Sequence, residues 1–299
     1  MPAFVNVNGR ITDAASAVIP VYDHGFLYGE GVYEVFRTYN GRPFLFGAHM
    51  TRLRASADRI HLPVPFSDQD ILERSVNTMA AAGLGESRGE AYVRLMLTRG
   101  VGEITYDPAA CPVPSLVIIA KPLPDTPACT YEAGTRVVMV EQIVRNHPES
   151  VSPLIKSNNL INNALGMQQA IRANAAEAVF RNYRGELAEC AQSNLFIVKG
   201  GVVKTPPLDA GLLAGITRAF VLELGRALDV PTEEATLFDR DLFEADEAFF
   251  TSTTKEIVPI VAVSVGVGAE QRDHVVGSGV PGPTTTKLLV EFRRRALAR

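Results

Sequence analysis

The sequence places one lysine, Lys156, in a long stretch that carries no other charged side chain. From Pro153 to Ile171 the residues read PLIKSNNLINNALGMQQAI. No opposite charge is available to an ammonium group there, and poor solvation favours the neutral amine. A neutral lysine amine is a nucleophile that forms Schiff bases with aldehydes. The sequence therefore predicts a Schiff-base lysine, against the alternative of an ordinary solvated surface lysine.

The residues after Lys156 predict a helix. Ser157, Asn158 and Asn159 have side chains that accept hydrogen bonds from the free N–H groups of a helix N-terminus. Apolar residues then recur at helical spacing, at Leu160, Ala164, Met167 and Ile171. We expect these four to form the buried face, with Lys156 at the end of an extended segment before the helix.

Other segments could hold an anion or a second charged group. Glu189 lies in the second strand of a predicted hairpin, where a carboxylate is either exposed or paired. Gly215-Ile216-Thr217 opens a predicted helix, whose free N–H groups and hydroxyl could bind an anion or form a simple first turn. Two further candidates are Arg52 on a predicted helix and the hydroxyl-bearing run at the end of a strand, Thr251-Ser-Thr253-Thr254.

Two strands could contribute to substrate binding. Residues 90–99 alternate, so that Tyr92 and Arg94 face one way while the apolar residues between them face the other. An arginine beside a tyrosine on one strand face can bind a carboxylate, although it is equally typical of the polar face of an edge strand. Tyr33 lies in another β-rich segment, residues 32–39, where it is either a packed aromatic residue or part of a site.

Composition limits the classes of protein and suggests the division into domains. The chain has 299 residues, a net charge of −4, 46% hydrophobic and 21% charged residues. We therefore expect a cytoplasmic globular protein without nucleic-acid or membrane partners. Its three separated cysteines predict no metal site. Three prolines in Lys121–Pro127 predict a linker. The expected domains are residues 1–120, a linker at 121–134, and residues 135–299 with the Schiff-base lysine.

These candidates together match the needs of pyridoxal 5′-phosphate (PLP). Its aldehyde requires a lysine, here Lys156. Its pyridine nitrogen must stay protonated, which an anionic Glu189 would favour. Its phosphate requires cations, hydroxyl groups and free N–H groups, which are available from Arg52, Ile216, Thr217 and Thr253.

The chain resembles the fold type IV (class IV) PLP-dependent aminotransferases in six motifs that occur in the same order. They are YGEGVYEV at 28–35, HMTRL at 49–53, IKS at 155–157, ECAQSNLF at 189–196, GITR at 215–218 and TSTTKE at 251–256. The resemblance implies a two-domain α+β fold like that of D-amino acid aminotransferase, with the cofactor between the domains. It also implies a homodimer or higher homo-oligomer that acts on a small amino donor and a 2-oxo acid.

The same resemblance implies roles for individual residues. Lys156 would form the Schiff base and carry the proton between Cα and C4′, and Glu189 would pair with the pyridinium. Arg52, Ile216, Thr217 and Thr253 would hold the phosphate, and Leu213 would pack on the ring. The expected substrate-binding residues are Tyr33, Tyr92, Arg94 and Thr254.

The motifs differ in the substrate they favour. Tyr92-Val-Arg94 with residues 98–108 resembles the branched-chain aminotransferases, and residues 100–107 lack the Arg-x-His typical of D-amino acid aminotransferases. Leu160-Ile161 and Thr251–Thr254 instead resemble the D-amino acid enzymes. We expect transfer from branched-chain L-amino acids to 2-oxoglutarate. The main alternative is a D-amino acid or (R)-amine transaminase using pyruvate or 2-oxoglutarate. A minor alternative is an aminodeoxychorismate lyase or a non-catalytic PLP-binding protein.

Overall fold

Two sheets, each with its own helices, organise the chain. The computed structural model describes residues 3–85, 89–266 and 271–298. The chain divides into a first unit, up to Asp125 and again at Ile155–Asn159, and a second unit, Thr126–Leu154 and Leu160–Ala298. The main division thus lies inside the segment for which we expected a linker. The outer ends of the expected domains, residues 1 and 299, lie outside the described residues.

The first unit contains an antiparallel six-stranded sheet in the order β2-β1-β6-β5-β3-β4. Its strands are β1 (Phe4–Val7), β2 (Arg10–Asp13), β3 (Gly31–Tyr39), β4 (Arg42–Pro43), β5 (Ala91–Thr98) and β6 (Ser115–Pro122). In β5 the buried and part-exposed residues alternate as the sequence predicts. The β1–β2 turn uses Asn8 and Gly9 at positive φ, the geometry of a tight hairpin.

The α-helices in the described part of this unit are α1 (His24–Leu27), α2 (Phe46–Asp58) and α3 (Asp68–Ala81). The sequence Ser67-Asp-Gln-Asp70 predicts a helix cap, and Ser67 and Asp70 do form a capping box at the start of α3, which satisfies two N–H groups that the helix itself leaves free. The apolar face of α2, with Met50, Leu53 and Ala57, packs in one core with β3 and β5. This packing fixes the side of α2 that faces the sheet.

The second unit contains a mixed nine-stranded sheet in the order β12-β11-β10-β13-β14-β7-β8-β9, with β15 paired to β14. Its strands are β7 (Thr135–Met139), β8 (Glu177–Arg181), β9 (Leu187–Cys190), β10 (Asn194–Lys199), β11 (Val202–Thr205), β12 (Thr232–Glu234), β13 (Glu247–Ser252), β14 (Glu256–Val265) and β15 (Arg272–Val275). The turn residues Asn182–Gly185 and Lys199–Gly201 each predict a hairpin, and both hairpins are present, as β8–β9 and β10–β11. The sequence pattern predicts a strand over residues 136–144, but β7 ends at Met139.

The helices of the second unit are α4 (Ala128–Glu132), α5 (Ile161–Arg172), α6 (Ile216–Ala227), α7 (Asp239–Phe243) and α8 (Pro283–Ala298). The predicted buried face of α5 is wrong. Ile171 is 72% exposed, whereas Gly166 and Ala170 are the buried residues. A Cβ on Gly166 would lie 2.4 Å from Cζ of Phe180, so close packing against β8 requires small residues on this face. The helix also lacks a side-chain N-cap.

The segment around Lys156 differs from the domain expectation. We expected Lys156 in the second domain, but Ile155–Asn159 groups with the first unit. The backbone of this segment is hydrogen-bonded to the first unit: Ser157 forms a β-bridge with Val32, and Asn158 N–H donates to the Gly31 carbonyl at 2.9 Å.

Among the described residues, no helix has both the length and the hydropathy needed to cross a membrane.

Candidate active site

The backbone of Lys156 is held from two sides. Tyr33 N–H donates to the Lys156 carbonyl at 2.9 Å, and Lys156 N–H donates to Oγ of Ser56 at 3.1 Å. Tyr33 lies in β3 and Ser56 in α2. Because β3 and α2 both bind the backbone of Lys156, the position from which its half-buried side chain extends is fixed in the first unit.

Two cationic side chains lie over the ring of Tyr33. Nζ of Lys156 lies 4.4 Å from the ring centroid, and Cζ of Arg94 lies 4.1 Å from it. Tyr33 pairs with Met96, and Arg94 pairs with Val35, so Tyr33 and Arg94 are diagonal neighbours on one sheet face. Both distances are within the range of cation–π attraction. The structure thus brings three predicted site residues together.

Tyr92 shares the sheet face of Arg94 but contacts a different cation. Its ring lies 4.9 Å from Nζ of Lys121, which stands opposite it on β6. The structure therefore places the predicted residues Tyr92 and Arg94 on one face, as the alternation of β5 predicts, with a ring partner for Tyr92 that the sequence did not suggest.

Arg52 is bound by a buried carboxylate. Its Nε and Nη2 donate to Oε1 and Oε2 of Glu34 at 2.7 and 2.8 Å, and Nδ1 of His49 lies 2.7 Å from Oε2. Burial would raise the pKa of Glu34, but Arg52 and His49 outweigh it and lower this pKa to about 2. Burial lowers the pKa of His49, so its neutral ring donates to an ionised Glu34. Neither Glu34 nor His49 was singled out from the sequence, although both lie in the resembling motifs.

In the second unit Glu189 is fixed by three donors. Nε of Arg145 donates to Oε1 at 2.8 Å, while Leu213 N–H and Nδ2 of Asn194 donate to Oε2 at 3.1 and 3.2 Å. Glu189 and Arg145 are both buried. Nη1 of Arg145 also donates to Oδ1 of Asn162 at 2.8 Å. Glu189 is therefore paired rather than exposed, and its partners Arg145 and Asn194 are neighbours of this candidate site that the sequence analysis did not single out.

The start of α6 is built like an anion site. Gly215 is the N-cap residue and has no side chain with which to cap the first turn, which begins Ile216-Thr217 and whose N–H groups point out of the helix. A Cβ on residue 215 would lie 1.9 Å from Oδ1 of Asn194, so glycine is required where Asn194 holds Glu189. The first turn of α6 and Glu189 thus share one structural support.

The hydroxyl-bearing turn between β13 and β14 is braced by its neighbours. Oγ of Ser252 accepts from Lys255 N–H at 3.2 Å, and Tyr131 O–H donates to the Lys255 carbonyl at 3.2 Å. Oγ1 of Thr251 is buried without a hydrogen-bond partner among the described residues. Thr253 and Thr254 lie in this turn, half-buried. A buried hydroxyl that no protein group satisfies is free to bind a ligand oxygen.

Each unit, taken by itself, contains groups of the kinds that PLP requires. The first unit offers an anchored amine and an oriented guanidinium. The second unit offers an anchored carboxylate, a helix start with glycine at its N-cap, and a buried hydroxyl that has no partner among the described residues. An amine, a fixed carboxylate and phosphate-binding donors are the groups that this cofactor requires from a protein.

Comparison with known proteins identifies the family. The family model for class IV aminotransferases matches residues 31–263. The chain belongs to the class IV aminotransferases. This confirms the family and the α+β fold class predicted from the sequence, and the enzymes of this family depend on PLP.

Individual class IV relatives match along nearly the whole chain. A Methanocaldococcus jannaschii protein, provisionally named a branched-chain-amino-acid aminotransferase, is 35% identical over 97% of this chain and 95% of its own. The D-alanine aminotransferase of Listeria monocytogenes is also 35% identical, over 95% and 93%. The branched-chain amino acid aminotransferase structure from Escherichia coli has a TM-score of 0.86 and 28% identity, over 96% of this chain and 92% of its own.

Glu177 supports the turn that precedes Asn194 in this aminotransferase. Ser193 Oγ donates to Oε1 of Glu177 at 3.0 Å, and the carboxyl group is buried. Burial raises the pKa of Glu177 from 4.5 to about 7, although Lys255 and Ser193 lower it. The folded protein therefore binds this proton more tightly than the unfolded chain does. This group contributes most stability below pH 4.5 and loses it as the pH rises to about 7.

We expect Glu177→Gln to remove this loss, because glutamine is isosteric with the protonated acid. Urea unfolding at pH 5 and pH 8 measures it: the drop in unfolding free energy between the two pH values should be smaller in the variant than in the parent. Glu186→Gln, a change at a partly exposed carboxylate on the same hairpin, is the control. An equal drop in Glu177→Gln and parent would contradict the assignment.

Proposed function

We propose that this aminotransferase uses PLP to transfer the amino group of branched-chain L-amino acids to 2-oxoglutarate. When bound, PLP supplies an aldehyde that takes up the amino group and a ring that withdraws electrons from the substrate Cα. Lys156 binds the cofactor and moves the proton at the substrate Cα. Glu189 keeps the pyridine nitrogen protonated, and Leu213 packs on the ring.

The phosphate is held, in this proposal, by the helix start and by hydroxyl and guanidinium groups. The residues are Ile216 and Thr217 at the start of α6, Thr253 in the β13–β14 turn, and Arg52. Their chemistry suits a dianion, since the helix N-terminus and the arginine both carry positive charge. The glycine at the N-cap of α6, which has no side chain to occupy the first-turn N–H groups, supports this role.

The arrangement of Tyr33, Arg94 and Lys156 is the observation that carries the substrate proposal. The Arg94 guanidinium lies 4.1 Å from the centroid of the Tyr33 ring, and the Lys156 amine lies 4.4 Å from the same centroid. Arg94 therefore places a cation close to the reacting amine. Arginine binds carboxylates through two parallel hydrogen bonds. We assign the carboxylate of the amino acid or oxo acid to Arg94, with Tyr33, Tyr92 and Thr254 as further contacts. 2-Oxoglutarate carries two carboxylates, so its binding gains more from an additional cation than the binding of an oxo acid with one carboxylate does.

A D-amino acid or (R)-amine donor is the second candidate, because a D-alanine aminotransferase is as similar in identity as the branched-chain relative. The Leu160-Ile161 and Thr251–Thr254 sequences also favour it. Against it stands the Gly100–Asp107 sequence, which has no arginine or histidine to grip a carboxylate.

We also propose that the chain works as a homodimer or a higher homo-oligomer. Large apolar side chains are exposed in two adjoining stretches of the first unit, which are joined by the Asp23–Val101 bridge. They are Val18, Ile19, Val21, Tyr22, Phe26, Leu27, Val101, Ile104, Tyr106 and Val113. Neighbouring apolar side chains of this size are typical of surfaces that a partner covers. A second copy of the chain is the partner that the resemblance implies.

The visible spectrum of the purified enzyme tests donor and acceptor. L-leucine, D-alanine and an (R)-arylalkylamine are added separately, and 2-oxoglutarate or pyruvate is then added to the bleached sample. We expect L-leucine to remove the visible cofactor band and 2-oxoglutarate to restore it. Bleaching by D-alanine or the (R)-amine alone would show that this compound, and not a branched-chain L-amino acid, represents the donor class. No bleaching by any amine would indicate a non-catalytic PLP-binding protein.

A further inference from the structure

A charged side chain lies on the buried face of β3. Glu34 has 0% exposure, as do its neighbours Val32 and Phe36 on the same strand face. An ionised carboxylate is costly to bury unless it is paired and hydrogen-bonded. Hydrophobic residues would fill this position at lower cost. The retained charge therefore points to a requirement imposed by its partners.

These partners lie on one face of α2. His49, Arg52 and Ser56 follow the spacing i, i+3 and i+7, which places them on a single stripe of the helix. His49 and Arg52 contact the Glu34 carboxylate, and Ser56 accepts from Lys156 N–H. The stripe thus connects the buried carboxylate with the peptide that carries the catalytic lysine.

The contact with Glu34 fixes the guanidinium of Arg52 in orientation. Two adjacent nitrogens, Nε and Nη2, donate to two different oxygens of one carboxylate, which sets the plane of the guanidinium group. The Arg52 side chain is only 12% exposed, so it has little freedom to adopt other rotamers. An exposed arginine would instead have to lose that freedom when it binds an anion.

Charge alone would make Glu34 harmful to phosphate binding. A carboxylate beside the guanidinium cancels much of its attraction for a dianion. If Glu34 acted only through its charge, its removal would tighten binding of a phosphorylated ligand. If it acts by orienting Arg52, its removal weakens that binding. The two effects have opposite signs, so one measurement separates them.

We propose that Glu34 is a positioning residue for the phosphate group: it orients Arg52 and so sets the preference of this enzyme for phosphorylated pyridoxal. This inference rests on the proposed role of Arg52 as a phosphate ligand. His49 supports the same orientation, since its Nδ1–H satisfies the Glu34 oxygen that Nη2 of Arg52 also uses.

The experiment compares the affinities of the full-length, cofactor-free enzyme for PLP and for pyridoxal, by absorbance titration. The ratio of the two affinities reports on the phosphate contact and is insensitive to a general loss of stability. In Glu34→Gln we expect this ratio to fall about tenfold, the effect of one hydrogen bond to a charged group, with pyridoxal binding unchanged. Glu90→Gln, which alters a carboxylate bonded to Asn40 N–H on the same unit, should keep the parental ratio.

Arg52→Gln separates this inference from the proposed function. An unchanged ratio in Arg52→Gln would reject Arg52 as a phosphate ligand, and with it the role of Glu34. A reduced ratio in Arg52→Gln with an unchanged or increased ratio in Glu34→Gln would reject the positioning role alone. If Glu34→Gln does not fold, Glu34→Asp keeps the charge but withdraws the carboxylate by one methylene group. A reduced ratio in Glu34→Asp supports the proposal, and a parental ratio overturns it.

Discussion

The Lys156→Ala enzyme is expected to fold normally and to lose turnover by about 10⁴-fold. The amine is the group to which we assign both cofactor attachment and the proton at the substrate Cα. The backbone contacts of residue 156, with Tyr33 N–H and Oγ of Ser56, do not need the lysine side chain. The fold should therefore survive, and steady-state kinetics with L-leucine and 2-oxoglutarate measures the loss.

Two further measurements make the Lys156 prediction specific. Lys199→Ala removes an exposed lysine that pairs with Asp246, and its turnover should match that of the parent. A small alkylamine added to Lys156→Ala should restore part of the proton transfer, because it replaces the missing base. Turnover of Lys156→Ala equal to that of the parent would reject the assigned role.

Glu189→Gln should affect both the reaction and the stability. The pyridine nitrogen would lose its anionic partner, and we expect the single-turnover rate to fall about 100-fold. The variant also leaves the Arg145 guanidinium buried without its counter-ion. Breaking a buried pair in this way costs about 3–5 kcal/mol of unfolding free energy. Rapid-mixing absorbance measurements give the rate, and urea unfolding gives the stability.

The double variant Arg145→Gln/Glu189→Gln separates these two effects. It removes both charges, so it should recover much of the stability lost in Glu189→Gln. The single-turnover rate should remain low, because the pyridine nitrogen still lacks its anion. A parental single-turnover rate in Glu189→Gln would show that Glu189 supports only the fold.

Sequence patterns predicted the elements that have clear periodicity. The alternation in β5, the capping box of α3 and the two hairpins of the second unit follow from local residue order, and each is present. The buried face of α5 could not be predicted this way. Hydrophobic periodicity favours large residues, whereas packing against Phe180 selects Gly166.

The ion pairs of the site could not be predicted from local order either. Glu34 and Arg52 are 18 residues apart, and Arg145 and Glu189 are 44 apart. A charged residue in a strand indicates exposure unless its partner is known, and that partner is set by the tertiary fold. Lys156 could be proposed from the sequence because its signal is local: a lone charge in an uncharged segment.

The assignment of Ile155–Asn159 to the first unit bears on how such a gene can recombine. A crossover between the codons of Asp125 and Thr126 would give a chimera whose Lys156 comes from one parent. Tyr33 and Ser56, which hold the peptide of that lysine, would come from the other parent. We therefore expect such a chimera to be active only when both parents place Lys156, Tyr33 and Ser56 in the same way. A crossover that moves Ile155–Asn159 with the first unit would keep the lysine with its supports.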